Sequence, residues 1–575
     1  MSSKTFGRVV AVTLLVAATL LGGMAGKSRA LRSLSAGTSN GALQGVEEAY
    51  DEALSTVAES YADEIDFEKA SQAAIQGMLS SLDPHSNYFT KAEYEKLLQD
   101  QDSRFIGIGV SILRHRDGVY VQSPVEGTPA ARAGLRFGDR IVEVDGKDVR
   151  EWTTQQVSKA VRGERGQRVK LTIERAGEAA PQYFNITRDS VPQPSIRSAY
   201  MIRPGTGYVA LVGGFTNTTS QELRDALADL EQKGMNQVVL DLRNNSGGIL
   251  EQSISVASLF LRRGLSIVSV RGRDGQPARE YKNNGTDPVD FPLVVLINRN
   301  SASASEIVAG AIQDQGRGLI VGETSFGKAL VQRVFPLPYG AGLTLTTAHY
   351  YTPYGRLIQR QYTSGSFYDY YVRHEEQEAP QPAQPASPSQ PATPVGAARS
   401  LPTPQPTPQP TPSGTPVQTA GGRVFYGGGG ITPDYVVKPL DITTPTRLRV
   451  FEASFYFVRE LIGGQVAGLE NYRIEGGPQF GRYPRPTDLP VNERVLEAFR
   501  TYVRQHPESS LTPAQVEAEL DYVRLRLRDD IVTAAYGAEA GSRVLLDADP
   551  QMLRALELLP EARSLAETVG HISRT

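Results

Sequence analysis

The chain has 575 residues, a formal net charge of −3 and no cysteine. A chain of this length divides into several domains, and its near-neutral charge disfavours binding to nucleic acid. The absence of cysteine excludes disulfides, thiolate catalysis and cysteine-ligated metals, and no histidine pattern indicates a metal site. We therefore expect neither a metal nor another cofactor.

An apolar segment near the N-terminus predicts export. Residues Val9–Gly26 carry no charge and follow Lys4 and Arg8, the layout of a secretory signal or of an N-terminal membrane anchor. Ser28-Arg29-Ala30 is a weak cleavage site, so cleavage and retention in the membrane both stay open. We expect residues 1–30 to be this signal or anchor, and the body of the protein to be periplasmic or on the extracytoplasmic face of the membrane.

Residues 31–103 are predicted to be an N-terminal helical region. Apolar residues recur at helical intervals in Val46–Tyr50 and in Ala73–Leu79. The segment Leu82-Asp83-Pro84-His85-Ser86 follows, and a histidine after Asp-Pro in a turn is typical of a local hydrogen-bonding role. The alternative is that His85 is the base of a serine triad.

Residues 104–190 are predicted to form a β-rich module. A strand follows the Gly107–Val110 run, Val119–Val121 is a second strand, and Asp145-Gly146 favours a hairpin turn. The helix of the module has a capping residue, a first-position proline and a closing glycine, which are Thr128, Pro129 and Gly134.

Residues 191–362 are predicted to be an α/β core, because a strand, an amphipathic helix and a strand follow one another. These elements are Tyr208–Val212, Thr219–Lys233 and Val238–Leu242. The last strand ends in a loop with Gly247 and Gly248, whose lack of side chains lets backbone N–H groups approach a ligand. An ordinary turn has the same composition.

A serine-rich segment follows the buried strand Leu293–Ile297, and small apolar residues after it predict a helix. Ser303 therefore lies near a helix N-terminus, where unpaired N–H groups and the helix dipole stabilise an oxyanion. Ser303 and Glu306 also have the spacing of a capping box, in which the serine only satisfies the helix end.

The next strand, Leu319–Val321, is followed by a glycine loop that returns Lys328 towards the serine. Gln332 shares a face with Lys328 in a strand and also aligns with it at i,i+4 in a helix. In either conformation Gln332 can orient the lysine amine.

The remainder of the chain divides into three predicted parts. Residues 363–424 are a Pro-rich insertion, and its Glu376–Gly421 part has a composition typical of extended, disordered chain. Residues 425–440 are the end of the core. Residues 441–575 have helical patterns and are an accessory domain for packing, oligomerisation or substrate docking.

Several of these motifs together resemble the catalytic segment of the carboxyl-terminal processing proteases, which are tail-specific proteases of peptidase family S41. The matching residues are Ser303-Ala304-Ser305-Glu306, Gly322-Glu323 and Gly327-Lys328, with Gln332 four residues on. The resemblance implies that Ser303 is the nucleophile, Lys328 the general base and Gln332 the residue that positions the lysine. Ser305 and Ser301 are the alternative nucleophiles.

The resemblance extends to both sides of this segment. Residues 241–248 are similar to the family's oxyanion segment, which implies that Gly247 or Gly248 donates an N–H together with Ala304. Residues 104–190 resemble a PDZ domain, in which successive N–H groups form a nest for a peptide carboxylate while the peptide adds as a strand. That implies a peptide site at Gly107, Ile108, Gly109 and Val110. The chain departs from the family in placing Gly430–Asp434 after a long insertion.

The expected protein is an α/β protease core of ClpP/crotonase-like fold with a PDZ domain in series and helical N- and C-terminal regions. By the resemblance it is an exported serine endopeptidase that captures protein C-termini and cleaves near them with a Ser-Lys dyad. Its expected partners are protein substrates, the membrane if the N-terminal segment is uncleaved, and further copies of the chain if it oligomerises. The alternatives are a catalytically inactive PDZ scaffold or chaperone-like binder, and an acyl-CoA enzyme, against which export and the PDZ domain argue.

Overall fold

The computed structural model describes residues 40–100, 104–273, 278–285, 288–360, 416–482, 484–485 and 487–571. The apolar Val9–Gly26 segment and residues 376–415 of the insertion lie outside these ranges. Within them, no helix is both long enough and apolar enough to cross a membrane. The chain divides into two units, Met1–Leu82 and Asp83–Thr575.

The first unit contains two helices in its described part, α1 (Asn40–Ser60) and α2 (Phe67–Ser80). Asp66 caps α2 by accepting the Lys69 N–H at 3.0 Å. The predicted helical character of this region is confirmed.

The second unit begins with a short strand and a helix, and continues into the β-rich module. Its elements are β1 (Asn87–Phe89), α3 (Lys91–Asp100), β2 (Arg104–Gly107), β3 (Val110–His115), β4 (Gly118–Pro124), α4 (Pro129–Ala133), β5 (Arg140–Val144), β6 (Lys147–Asp148), α5 (Thr154–Val161), β7 (Arg168–Glu174), β8 (Gln182–Thr187) and β9 (Asp189–Pro192). The main sheet has the order β3-β4-β5-β7-β8, with β6 paired to β5, while β2 pairs with β9. Asp145 and Gly146 both have positive φ, 50° and 75°, in the tight turn between β5 and β6.

The α/β core is built on a six-stranded sheet. Its elements are β10 (Ile196–Arg203), β11 (Thr206–Leu211), α6 (Thr219–Gln232), β12 (Gln237–Asp241), α7 (Leu250–Ser258), β15 (Leu293–Ile297), α8 (Ala304–Asp314), β16 (Leu319–Gly322) and β21 (Tyr435–Val436). The strand order is β10-β11-β12-β15-β16-β21, and every pair is parallel except β10–β11. Every residue of β15 is buried. A strand buried on both faces requires cover on both sides, which the helices supply.

A second, antiparallel sheet brings distant parts of the chain together. It contains β13 (Ser266–Arg271), β14 (Arg279–Lys282), β17 (Leu330–Pro336) and β18 (Gly342–Tyr351). Its order is β1-β18-β13-β14, and β17 pairs with β18. β1 pairs with β18 at Asn87 and Thr344, so the Asp83–Asn87 turn lies beside the strand pair that follows Lys328.

The described chain resumes with β19 (Pro416–Gln418), which pairs with β20 (Val424–Tyr426) and lies inside the part predicted to be disordered as far as Gly421. Helices follow. These are α9 (Pro445–Ile462), α10 (Glu493–Gln505), α11 (Pro513–Ala518), α12 (Leu520–Tyr536), α13 (Ala538–Leu546) and α14 (Pro550–Thr568). The group α9–α12 shares a core with Tyr120 and Phe137 of the β-rich module. At this joint the His115 ring stacks on Phe455 with centroids 3.6 Å apart, and Arg459 Nε donates to the Gly138 carbonyl at 2.8 Å.

The last helix, α14, packs on the α/β core itself. Met552 and Leu559 of α14 are buried against Val294 and Val321 of the sheet, on the face opposite α6, α7 and α8. Arg243, which follows β12, links the core sheet to α14 because its Nη1 donates to Gln551 Oε1 at 2.8 Å. The C-terminal region therefore completes the second layer over the sheet.

Candidate active site

Ser303 occupies a strained turn between β15 and α8. Its backbone has φ 55° and ψ −113°, a region that residues with side chains seldom adopt. The turn directs the chain from the carboxyl end of a parallel strand into the first turn of a helix. Ala304, at the first helical position, has no intrahelical acceptor for its N–H and is buried beside Ser303. The turn thus presents a serine next to a backbone donor.

The neighbouring serines are engaged in structural hydrogen bonds. Ser301 Oγ donates to the Leu242 carbonyl, and Ser305 Oγ donates to the Asn245 carbonyl, both at 2.9 Å. Both serines are fully buried. These contacts hold the serine turn against the glycine loop and distinguish both residues from the partly buried Ser303.

Glu306 connects the serine turn to the lysine loop. Its fully buried carboxylate accepts the N–H of Ser303 at 2.8 Å, as in a capping box, and the N–H groups of Gly327 and Lys328 at 2.6 and 2.9 Å. Ser325 Oγ donates to it at 2.6 Å. Burial raises the pKa of Glu306 to about 7, and the four donors act in the opposite direction. One carboxylate therefore fixes the backbones of Ser303 and Lys328 relative to each other.

Lys328 and Gln332 meet through their side chains. Lys328 Nζ donates to Gln332 Oε1 at 3.1 Å. Burial lowers the pKa of Lys328, while the negative charges of Asp83 and Glu306 oppose that shift. A desolvated amine loses its proton more readily, which is the condition for a lysine to act as a base.

The Asp83–Asn87 turn lies on the other side of Gln332. Gln332 Nε2 donates to the backbone carbonyl of His85, so the two atoms of the amide join Lys328 to this turn. Burial, together with the charge of Lys328, lowers the pKa of the His85 imidazole to about 4, against the influence of Asp83. At neutral pH the imidazole is uncharged and a weaker base than an ordinary histidine.

Tyr350, on β18, contacts both the serine turn and the lysine loop. Its hydroxyl lies 3.0 Å from the carbonyl oxygen of Ser303 and 2.6 Å from that of Lys328. The ring is buried in the core. Tyr350 thus contacts the backbones of both residues from a third element.

The glycine loop packs directly against the serine. A Cβ on Gly247 would lie 2.7 Å from that of Ser303 and 2.9 Å from the Ala304 nitrogen. A Cβ on Gly248 would lie 2.3 Å from the Phe215 carbonyl oxygen. Only glycine allows this approach. The Gly247 N–H already donates to Asn245 Oδ1 at 2.9 Å.

The Gly107–Val110 run lies far along the chain from these groups, at the junction of β2 and β3. β3 is the end strand of the module's main sheet, with no second strand partner in the described chain, and α5 packs beside it. The Gly109 carbonyl accepts the Val125 N–H at 3.0 Å, and Ile108 is buried. A peptide that binds by strand addition pairs with an edge of this kind.

Of the residues predicted from the sequence, the structure brings Lys328 to Gln332 and Gly247 to Ser303, and it links the backbones of Ser303 and Lys328 through Glu306. The linking role of Glu306 and the contacts of Asn245 and Tyr350 were not predicted from the sequence. The capping-box spacing was the one signal for Glu306. Nothing local to Tyr350 marks it, because its hydroxyl contacts the carbonyl groups of residues outside β18.

Comparisons with known proteins show which families this chain is similar to. Residues 205–370 match the model of peptidase family S41, and residues 120–175 match that of the PDZ domain. The carboxy-terminal-processing protease of Bartonella bacilliformis is 40% identical over 299 residues, which cover 51% of this chain and 68% of the relative. The carboxy-terminal processing protease CtpA of Bacillus subtilis is 33% identical over 354 residues, which cover 61% and 74%. A solved photosystem II D1 C-terminal processing protease is 33% identical, with a TM-score of 0.33 and coverage of 52% of this chain and 81% of that one.

Proposed function

The chain belongs to peptidase family S41, with a PDZ domain, and from this premise we propose that it is a serine endopeptidase that cleaves proteins near their C-termini. Ser303 is the nucleophile in this proposal, Lys328 is the general base, and Gln332 positions the lysine. The observation that carries the proposal is the Glu306 carboxylate, which accepts N–H groups from both Ser303 and Lys328. A carboxylate that only capped α8 would have no need of the second contact.

The chemistry requires a neutral lysine. A free lysine has a pKa near 10.4, so holding its amine neutral at pH 7 costs about 4 to 5 kcal/mol. The burial that lowers the pKa of Lys328 supplies this effect in the right direction. The neutral amine takes the proton of Ser303 Oγ as that oxygen attacks the peptide carbonyl, and the ammonium then protonates the leaving amine.

Backbone N–H groups stabilise the tetrahedral oxyanion in this scheme. Ala304 supplies one, since it stands at the first position of α8. The second comes from the glycine loop. The Gly247 N–H is engaged by Asn245, and this favours Gly248 as the donor.

The PDZ domain captures the substrate in this proposal. The peptide adds to the free edge of β3, and its terminal carboxylate is held by the nest of Gly107, Ile108, Gly109 and Val110. Capture of a C-terminus at one site raises the effective concentration of the nearby chain at the other.

We place this activity outside the cytoplasm. The support is the apolar Val9–Gly26 segment behind Lys4 and Arg8, which has the layout of a secretory signal or anchor. If it is not cleaved, the protease is tethered to the membrane. Fractionation of cells that produce the tagged protein tests this assignment, which would be wrong if the protein remained in the cytoplasmic fraction.

A peptide-cleavage assay tests the main proposal. The substrates are a peptide with a free C-terminus and the same peptide with a C-terminal amide, and the proteins are the wild type, Ser303→Ala and Ser305→Ala. We expect cleavage that depends on Ser303 and prefers the free carboxylate. Peptide binding without any cleavage by the folded wild type would favour the inactive PDZ scaffold instead.

A further inference from the structure

The Asp83 carboxylate organises a tight, buried turn ahead of β1. Its Oδ1 accepts the N–H groups of His85 and Ser86 at 2.7 and 2.8 Å, and its Oδ2 accepts the Ser86 hydroxyl at 2.7 Å. Ser86 Oγ in turn accepts the Thr346 N–H of β18 at 3.1 Å. The side chains of Asp83, His85 and Ser86 are all buried. A single side chain thus fixes both the shape of the turn and its attachment to the sheet.

This turn decides which way the Gln332 amide faces. The His85 carbonyl accepts Gln332 Nε2 and also Asn87 Nδ2, the latter at 3.0 Å. A carbonyl can bind only the donor end of an amide, so the acceptor end, Oε1, is turned towards Lys328 Nζ. The amine is therefore oriented by a backbone carbonyl that Asp83 holds in place.

The charged and titratable groups around Lys328 come from three elements. The turn contributes Asp83 and His85, α8 contributes Glu306, and β18 contributes Tyr350, whose hydroxyl contacts the Lys328 carbonyl. His85 is uncharged at neutral pH because burial lowers its pKa to about 4. The two carboxylates are the negative charges that favour the ammonium form of Lys328.

We propose that the Asp83 turn is a positioning element of the protease site, which fixes the Gln332 amide through the His85 carbonyl and supplies a negative charge that sets the pH range in which Lys328 acts as a base. This inference rests on the proposed Ser-Lys function. Asp83 acts through other residues and is a positioning residue.

Two substitutions separate the shape of the turn from its charge. Asp83→Asn keeps an acceptor for both N–H groups, and its amide can donate to the Ser86 hydroxyl, which has two lone pairs. The charge is lost and the hydrogen bond to Ser86 reverses its direction, so the ammonium form of Lys328 becomes less favourable. The acid limb of the pH-rate profile should move to lower pH by about one unit, with the plateau kcat unchanged.

Asp83→Ala also loses the turn, and its plateau kcat should fall about tenfold at unchanged KM.

The matched control is Asp441→Asn. Asp441 is exposed and also forms a local turn, accepting the N–H and the hydroxyl of Thr443 at 2.9 and 2.8 Å. The full-length proteins are compared by kcat and KM for peptide cleavage, by the pH dependence of labelling with a fluorophosphonate probe, and by thermal melting. The control should show the wild-type limb and the wild-type kcat.

An acid limb that stays in place in Asp83→Asn, or a plateau kcat that stays at the wild-type level in Asp83→Ala, overturns the proposal. Should Asp83→Asn fail to fold, Ser86→Ala keeps the charge and removes both hydrogen bonds of the Ser86 hydroxyl, the one to Asp83 and the one from the Thr346 N–H. It should lower kcat about threefold without moving the limb, and an unchanged kcat or a moved limb would count against the proposal. Absence of Ser303-dependent cleavage and labelling in the wild type would instead reject the proposed function.

Discussion

The proposed catalytic centre and the proposed peptide groove both offer backbone N–H groups to an oxygen atom, but the chain builds them differently. In the groove, the donors come from one contiguous run, Gly107–Val110, at the open edge of a sheet. In the proposed catalytic centre, they come from two loops that meet only in the fold, where Gly247 lies against Ser303 and Ala304. The terminal carboxylate of a peptide is charged before it binds, so a short nest of N–H groups is sufficient to hold it. The oxyanion forms only during the reaction, so its N–H donors must already be fixed in position.

The difference explains why the catalytic centre is surrounded by buried polar side chains. Glu306 holds the serine turn to the lysine loop, and Asn245 holds the glycine loop by accepting the Gly247 N–H. In the groove, the buried Thr128 hydroxyl donates to the Gly109 carbonyl at 2.9 Å, and the rest of the shape follows from strand pairing and from Gly109. Substitutions should therefore reduce the rate in the first region and the affinity in the second.

The largest effect is expected for the nucleophile. Ser303→Ala should reduce kcat by about 10⁴-fold or more, as removal of a nucleophile does in other serine proteases. Ser305→Ala should retain much of the activity, because its hydroxyl is bonded to the Asn245 carbonyl. Peptide cleavage and fluorophosphonate labelling measure both variants. Equal loss from the two, with both proteins folded, would reject the assignment of Ser303.

The lysine is tested by chemical rescue, which the absence of cysteine makes selective. Lys328→Cys should reduce kcat by about 10²- to 10⁴-fold, which is the usual contribution of a general base to the rate. Alkylation of the single thiol with 2-bromoethylamine restores an amine at the same place, and activity should return. Since the thioether lowers the pKa of that amine, the acid limb of the restored activity should lie at lower pH than in the wild type.

The controls for this experiment address the histidine alternative. The wild type treated with the same reagent should be unaffected, because it has no thiol. Lys328→Arg should stay nearly inactive, since arginine holds its proton at every working pH. His85→Ala and His349→Ala should not match the loss. A folded histidine variant that loses activity while Lys328→Arg retains it would establish a histidine base and rule out the Ser-Lys dyad.

The sequence predicted the parts of this comparison that depend on local patterns. The buried strand Leu293–Ile297 has the predicted bounds, and the helix predicted at Thr219–Lys233 ends one residue earlier. Hydrophobic periodicity sets these elements, and it is visible in a short window. The peptide nest at Gly107–Val110 stays a prediction, and it could be proposed because its residues are adjacent in the chain.

The rest depended on contacts between distant segments. Nothing in the neighbourhood of Glu306 indicates that its carboxylate also binds Gly327 and Lys328, and nothing near His85 indicates that its carbonyl binds Gln332. The packing of α14 on the core sheet was equally hidden, because an amphipathic helix does not specify its partner. Side-chain hydrogen bonds across the fold carry no periodic signal.

Glu306→Gln tests whether the catalytic centre needs its buried link. Oε2 accepts the N–H groups of Ser303 and Lys328, and Oε1 accepts Ser325 and Gly327. The amide of glutamine replaces one of these two oxygens with an NH2 group, which cannot accept a hydrogen bond from the two donors on that side. The variant should lose about 1 to 3 kcal/mol of stability for each unpaired group, and kcat should fall about 10²-fold because the lysine is displaced. Thermal melting and kcat measure the two effects, and a folded variant with wild-type kcat would contradict the linking role.

Gly109→Ala tests the groove. Gly109 has φ 77°, and a Cβ there would lie 2.4 Å from that of Thr128. The distortion should weaken binding of a free C-terminal peptide about tenfold and leave fluorophosphonate labelling of Ser303 unchanged. Gly146→Ala is the control, with φ 75° and open space around the added carbon. Similar losses of peptide affinity in both variants would mean that backbone strain alone, and not the nest, is responsible.

The smallest effect on activity is expected from cutting the insertion. Its Pro-rich composition predicts that limited proteolysis cleaves first between Glu376 and Gly421. Both ends that flank it are bonded beside the lysine loop, where the Arg360 N–H donates to the Gly327 carbonyl and the Gly430 N–H donates to the Ile358 carbonyl, each at 2.9 Å.

Because these contacts lie outside the cut, the nicked protein should stay folded and keep its activity. Mass spectrometry of the first fragments and kcat of the purified nicked protein measure the result. A first cut elsewhere would show that composition misjudges the exposure of the insertion. A folded nicked protein without activity would show that the intact insertion supports the catalytic centre. The buried contacts around Glu306 would then not be sufficient to hold that centre in its active form.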